Sequence, residues 1–345
     1  MKGIIFNVGS ETIKYSFFAD KKIIKKKIKL GKITKKAIIN ILKEGEKILN
    51  GIDVVCHRVV HGYGLKSQFL NNKLIKEIKK ACEIAPLHNP YELKVIEIIR
   101  KEKPKLKQFI AFDTDVFDQL PKINKLYALP EWLTKKFKIY RYGFHGLSIE
   151  YVIEKMKEKG IKNFIVLHLG GGSSVTAIKN LKPIDTSMGF TPLEGCVMMN
   201  RPGSIDPGIV LFLCKKLGTK KTERILHNSG IKALANTTNF KKILKLKNKR
   251  EKFAFDFFCH SISKIAYSYF KYFDKIDAII FTGGIGENSY KVREKICEQL
   301  RIKIDKLKNK KNKKFLREKK PYIIILKTEE EEIILKKLEN GKRNL

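Results

Sequence analysis

The sequence is poor in acidic residues: 35 Asp+Glu stand against 73 Lys+Arg in 345 residues, a formal net charge of +38. It also lacks any organised cysteine pattern. Cys56, Cys82, Cys196, Cys214, Cys259 and Cys297 are scattered, with no C-x-x-C and no Cys/His pair at zinc-finger spacing. That argues against a disulfide framework and a structural zinc, and favours reduced thiols packed as small apolar groups. Long apolar runs are missing; a stretch such as residues 322–326 is far too short to span a bilayer. The segment Met1-Lys2-Gly3-Ile4-Ile5-Phe6 has neither the apolar length nor the small-residue cleavage site of a signal peptide, so a cytoplasmic location without membrane attachment is expected. Neither G-x-x-x-x-G-K-[ST] nor G-x-G-x-x-G occurs in its expected context, which argues against a Walker-A NTPase and a Rossmann dehydrogenase.

Hydrophobic residues make up 43% and aromatics 10%, enough for a substantial core in one large or two medium domains. The charge is the footprint expected of a nucleic-acid or anionic-membrane binder. Against that, residues 306–320 hold Phe315 as their only aromatic, so stacking platforms are missing, and no helix-turn-helix, RRM or OB signature is visible. The lysines are spread along the whole chain, which favours a solvated surface and no specific nucleic-acid partner.

Along the chain, residues 3–8 and 13–19 read as strands joined by a Gly-Ser-Glu-Thr turn. A lysine-rich segment (21–28) follows, then a helix over 35–49, a strand over 52–60, amphipathic helices over 73–83 and 91–102, and an apolar strand over 108–112. A second cycle has strands at 164–169 and 175–178, helices around 208–217 and 251–273, a strand at 278–282, a helix from about Tyr290 and a last strand at 322–326. Strand, Gly-rich turn, strand and later strand, Gly-rich turn, helix make the two halves resemble a duplicated α/β unit.

Three turns have the composition to hold phosphate: Asn7-Val8-Gly9-Ser10, residues 170–174 and residues 283–288. Glycine lets the backbone approach an anion closely and present successive N–H groups. One such turn is more often a plain hairpin; three, each directly after an apolar strand, form a stronger signal. Arg58 ends a β-branched strand and Arg201 lies in a loop with two prolines, settings that suit a guanidinium fork on phosphate or carboxylate as well as a surface cation. Asp113 and Glu330 suit Mg²⁺, or alternatively a turn former and a member of a solvated glutamate run. His145 and His168 are candidate hydrogen-bonders, structural or catalytic.

Taken together these segments resemble the acetokinase family of short-chain acyl kinases. The matching stretches, in the family's order, are Phe6-Asn7-Val8-Gly9-Ser10 with Lys14, His57-Arg58-Val59-Val60-His61-Gly62, Ala85-Pro86-Leu87-His88-Asn89-Pro90, Phe112-Asp113-Thr114 and Tyr142-Gly143-Phe144-His145-Gly146. They continue with residues 168–174, 185–195, Ile205-Asp206-Pro207, residues 281–289 and residues 328–331. The resemblance implies a duplicated actin/hexokinase-like (ribonuclease H-like) α/β fold of two domains, 1–117 with 332–345 and 118–331, and an interdomain active-site cleft. It implies ATP + acetate ⇌ ADP + acetyl phosphate by direct in-line transfer with Mg²⁺ (Mn²⁺ as a substitute), in a homodimer. Arg58 and Arg201 would clamp carboxylate and phosphoryl group, with His145 donating a hydrogen bond and Asp113 and Glu330 organising the metal. Asn7 would join the metal and phosphate end with Ser10 and Lys14. Val60, Leu87, Phe144 and Pro192 would line the acetate methyl pocket. Lys14, His168, Gly170, Gly171, Gly172, Asn239, Phe240, Lys241, Gly284, Ile285, Gly286 and Asn288 would meet the nucleotide.

The sequence departs from the family pattern at several of these points. Gly171 replaces the usual Asn, Asn239-Phe240-Lys241 the usual Asp-(Met/Phe)-Arg, Glu11-Thr12 a serine pair, and Asn200-Arg201-Pro202 the common Thr-Arg-Ser. The stretch between Lys14 and Arg58 is shorter than in typical members. These changes put nucleotide affinity or base preference in doubt and motivate the alternative of an inactive scaffold. Separately, an apolar pocket discriminates one methylene weakly, so a propionate or other short-chain carboxylate kinase is the alternative within the family.

Overall fold

The computed structural model describes residues 1–9, 12–20, 22–29, 33–86, 88–245 and 247–343; Ser10, Glu11 and Leu87, named above, lie outside them. The chain divides into two compact units, Met1–Asp118 with Phe144–Leu147 and Glu329–Leu345, and Gln119–Gly143 with Ser148–Thr328.

The first unit is built on β1 (Lys2–Val8), β2 (Thr12–Ala19), β3 (Lys22–Lys29), β4 (Val54–Val59), β5 (Gln68–Phe69) and β6 (Lys107–Phe112). They form one sheet in the order β3-β2-β1-β4-β6-β5. β1, β4 and β6 run parallel, and β2 and β3 pair antiparallel on the β1 side. The parallel strands are nearly continuous apolar runs, as strands covered on both faces must be. The helix Lys35–Leu49 buries Ile38, Ile41, Leu42 and Leu49 and is capped by Thr34, whose side chain accepts from the Ala37 N–H. Ile4, Phe6, Phe17, Ile38, Ile41 and Val55 belong to the resulting core. The lysine-rich segment expected after β2 is the edge strand β3. Lysines on an edge strand keep its free backbone groups from pairing with another chain.

The second unit repeats the plan. β7 (Phe164–Leu169), β8 (Ser173–Lys179), β9 (Lys182–Thr186), β10 (Ala278–Thr282), β11 (Phe315–Arg317) and β12 (Tyr322–Ile325) lie in the order β11-β12-β10-β7-β8-β9. β7, β10 and β12 are parallel, with β8 and β9 antiparallel beyond β7. Setting β5 and β11 aside, both sheets read 3-2-1-4-5 with identical pairing senses. The duplication expected from sequence is therefore present strand by strand. The helix Lys249–Ser268 covers this sheet with Ala254, Phe255, Phe258, Ile262 and Ala266 and ends in a 3₁₀ turn at Tyr269–Tyr272.

Candidate active site

In an open parallel sheet, ligands meet the carboxyl ends of the strands, where side chains leave the core and backbone groups are free. In the first unit those ends carry Asn7 on β1, Arg58 on β4 and Asp113 directly after β6. Register fixes their proximity: Phe6 is opposite His57, and Arg58 opposite Ala111. The Arg58 fork closes on both neighbours. Nε and Nη2 donate to the two Asp113 carboxylate oxygens at 3.3 and 2.5 Å, and Nη1 donates to Asn7 Oδ1 at 3.1 Å. Glu330, from the first turn of the helix Glu330–Arg343, brings an oxygen to 3.6 Å from Arg58 Nε. Asp113 is 1% exposed. Burial works against the Arg58 charge, yet the Asp113 and Glu330 carboxylates outweigh it and hold the guanidinium protonated. Burial pushes the Glu330 carboxyl up, Asp113 and Glu331 add to that, and Arg58 and Lys14 oppose it. Lys14 is the cross-strand partner of Asn7.

The segment carrying Phe144 and His145 is pinned to this cluster. A Cβ at Gly146 would lie 1.9 Å from the Asp113 carbonyl oxygen, so only glycine lets the backbones approach so closely. His145 itself has φ +61°. Phe144 is buried and stands edge-on to the His61 ring, 5.4 Å between centroids; Val60 is buried next door. The His57–Gly62 and Ala85–Pro90 stretches are joined by Asn89, whose amide accepts from the His61 N–H (3.1 Å) and donates to the His61 carbonyl (2.9 Å). Glu92, one turn on, accepts from the Val60 N–H at 3.1 Å while 3% exposed. Burial raises its pKa to about 8. No motif pointed to Glu92; the only sequence signal is an acid among the inward-facing positions of the helix Asn89–Glu102.

In the second unit the glycine turns follow adjacent parallel strands. Residues 170–172 link β7 to β8, and β10 runs into a short helix, Gly283–Asn288, where the sequence suggested only a turn. Gly283 has φ +76°, and a Cβ there would come within 2.7 Å of the Leu169 carbonyl oxygen. Gly171 and Gly284 face open space, with nothing within 4 Å of a Cβ. Beside the turns, the Ser173 and Thr282 hydroxyls are fully buried and have no hydrogen-bond partner among the described residues. Orphaned buried donors next to open glycine backbone fit a ligand rich in acceptor oxygens. His168 Nδ1 lies 2.9 Å from the Ser148 hydroxyl, which bonds Thr328 in turn. Ile285 and Gly286 lie inside the short helix, and Asn288 returns its amide to the Gly284 carbonyl at 2.9 Å. Asn239 caps the helix Phe240–Ile243, Phe240 packs on Phe258, and Lys241 is exposed.

Arg201 contrasts with Arg58. Among the described residues its side chain makes one hydrogen bond, from Nη1 to the Pro192 carbonyl at 2.9 Å, and no carboxylate pairs with it. Burial alone lowers it to about 10, so it stays protonated at neutral pH. His227 is pushed down by burial and then by the Arg201 charge. A mostly desolvated cation without an internal counter-ion is a receptor for an anion.

The metal question turns on the donor set. Asn7, Asp113 and Glu330 offer hard oxygen atoms in one place, which suits Mg²⁺, an ion that takes one or two carboxylates and completes its shell with water and substrate phosphate. No cluster of three or more His, Cys, Asp or Glu able to hold a metal occurs among the described residues.

A duplicated 3-2-1-4-5 plan, with an arginine–carboxylate cluster at the strand ends of one unit and open glycine turns at those of the other, is the plan of the actin/hexokinase-like α/β fold, which serves several activities. The Acetokinase family model matches residues 2–336. Acetate kinase of Sulfurimonas denitrificans is 40% identical over 292 residues, 80% of this chain and 75% of that one. Among solved structures, a propionate kinase from Francisella tularensis (33% identity, TM-score 0.88) covers 97% of this chain and 98% of its own. Acetate kinase from Entamoeba histolytica (30%, TM-score 0.88) covers 99% of each. The chain belongs to the acetokinase family, and it is a kinase whose acceptor is a carboxylate.

Proposed function

We propose that the chain transfers the γ-phosphoryl group of ATP to acetate, giving acetyl phosphate and ADP by in-line displacement, and that it does so in the cytoplasm. The observation that carries this reading is the Asn7–Arg58–Asp113–Glu330 cluster at the strand ends of the first unit. Acetate is already ionised at neutral pH, so no strong general base is required. The work is alignment of two anions and neutralisation of charge spread over the equatorial oxygens of the transferring group. Arg201, lacking a counter-ion, supplies charge to carboxylate or phosphoryl oxygen; Arg58, held by Asp113 and Asn7, supplies a fixed set of donors. His145 donates to the phosphoryl group. Asn7, Asp113 and Glu330 would hold Mg²⁺, which when bound draws charge from the β- and γ-oxygens. Val60, Phe144 and Pro192, with Leu87, would line the pocket for the acetate methyl. One methylene in an apolar pocket is worth only about 1–3 kcal/mol, so propionate is the second acceptor to expect.

On this reading the first unit serves the acyl and phosphoryl side, with Lys14 at its phosphate end. The second holds nucleotide through His168, the turn Gly170–Gly172, Asn239 to Lys241 and the segment Gly284 to Asn288. A homodimer is supported by the helix Pro207–Leu217, which buries none of its residues while Leu211 and Phe212 are 63% and 58% exposed. Hydroxamate trapping with ATP, Mg²⁺ and a panel of two- to four-carbon carboxylates tests the proposal. Turnover should be best on acetate or propionate; no turnover on any acid refutes it.

A further inference from the structure

Among the described residues Arg293 is one of the largest fully buried side chains, at 0% exposure, and it has no part in the chemistry described above. It stands on the helix Tyr290–Gln299, just after the segment Gly283–Asn288. All five of its N–H donors are used. Nη1 donates to the carbonyls of Gly286 (2.7 Å) and Glu287 (2.9 Å). Nε and Nη2 donate to Asn309 Oδ1 (2.8 Å), the Asn309 carbonyl (2.9 Å) and Asn312 Oδ1 (2.6 Å). Asn309 is itself fully buried and returns its amide N–H to the Tyr290 carbonyl at 2.9 Å.

Two features of this arrangement exceed what packing requires. The last carbonyls of a helix have no partner within it, and a short glycine-rich segment cannot hold its own shape. Here a guanidinium fork satisfies two of those carbonyls and fixes their directions. Every acceptor is also neutral. A buried cation is normally matched by a carboxylate because leaving it uncompensated is costly. Matching it with amide oxygens satisfies the hydrogen bonds and leaves the positive charge beneath the segment. The arrangement also accounts for the helix Lys306–Lys310 in the lysine-dense tract: Asn309 is its one buried residue, and the lysines surround that anchor.

We propose that Arg293, with Asn309 and Asn312, is a positioning set for nucleotide: it holds Gly283–Asn288 in its phosphate-receiving shape and keeps an unneutralised charge behind it. The inference rests on the reading of that segment as nucleotide-binding. Arg293→Lys keeps the charge but loses the fork; Asn312→Asp keeps an oxygen acceptor for Nη2 and neutralises the charge, leaving the Asn309 bonds in place. For each we expect the KM for ATP and the Kd for ADP, measured by calorimetry on the full chain, to rise roughly tenfold, with the KM for acetate changing less than about twofold. Asn312→Asp guards against an Arg293 variant that fails to fold, since Asp is isosteric with Asn and the position is exposed. Unchanged ADP affinity in both folded variants, or a parallel rise in both KM values, overturns the brace. A Gly284→Val control separates the two ideas. If it binds ADP as the wild type does, the segment is not a nucleotide site and the underlying reading fails; if it alone loses ADP, the brace fails and the reading stands.

Discussion

Replacing Glu92 by glutamine should make the protein more stable, and increasingly so as pH rises. Glu92 is buried, accepts from the Val60 N–H, and is faced by the charges of Arg58 and Asp113. Burial moves its pKa from 4.5 to about 8, against the opposing pull of the Val60 N–H and Arg58. The folded chain thus keeps a proton over a range where the unfolded chain has lost it. Stability must fall as pH rises from about 4.5 towards about 8, then level off. Each pH unit in that window is worth about 1.4 kcal/mol, so the ceiling is about 5 kcal/mol and the change from pH 5.5 to 8.5 about 3 kcal/mol. The glutamine amide of the variant still offers the Val60 N–H an oxygen but has nothing to titrate. Thermal midpoints of wild type and Glu92→Gln should lie close together near pH 5 and separate by on the order of 4–6 °C at pH 8.5. Parallel midpoint curves across that range would refute the reasoning.

Other perturbations give equally direct outcomes. Arg58→Ala leaves Asp113 buried without its fork, so denaturant titration should show a loss of about 3–5 kcal/mol alongside loss of phosphoryl transfer; activity loss at unchanged stability would mean the pair contributes nothing to the fold. A Cβ at Gly171 meets nothing within 4 Å, so for Gly171→Asn the midpoint should not move while the KM for ATP falls a few-fold, roughly one hydrogen bond's worth. Gly146→Ala puts a methyl 1.9 Å from the Asp113 carbonyl, and proteolysis near residue 144 should accelerate as that segment is displaced. Phe212→Glu on the exposed apolar helix should shift the species seen by light scattering from dimer to monomer with little change in circular dichroism.

Most strands were legible because parallel strands buried on both faces leave uninterrupted apolar runs: residues 164–169 and 278–282 are strands at the expected limits. β3 was not, because Lys22–Lys29 has the composition of a solvated tract and becomes a strand only by pairing with β2. The four glutamates at 329–332 read as a charge run. In the structure three of them open a helix, where acids favour the N-terminal end of the dipole. Likewise the site residues carried by local patterns, Asn7, Arg58 and Asp113, stood out as polar groups at the ends of apolar strands. Glu92 and Arg293 did not, since each acquires its meaning from a partner distant in sequence or from burial, neither of which composition displays. The two arginines of the proposed clamp looked alike in sequence; only their partners show one charge compensated and the other not.

The first unit is closed by the last part of the chain. The helix Glu330–Arg343 buries Ile333, Ile334 and Leu338, ties Lys337 to Asp115 at 3.0 Å, and is approached so closely by Phe109 that a Cβ at Gly341 would lie 2.9 Å from its ring. Lys25 on β3 grips Glu329 and Glu331, on either side of Glu330. During synthesis, Asn7, Arg58 and Asp113 therefore emerge long before the glutamate that completes their cluster. The sheet of the first unit must wait, part of its apolar face uncovered, until the second unit has been made. Chains cut short before residue 330 would carry an exposed face that proteases and chaperones can read, so premature termination is self-reporting rather than a source of a slow enzyme.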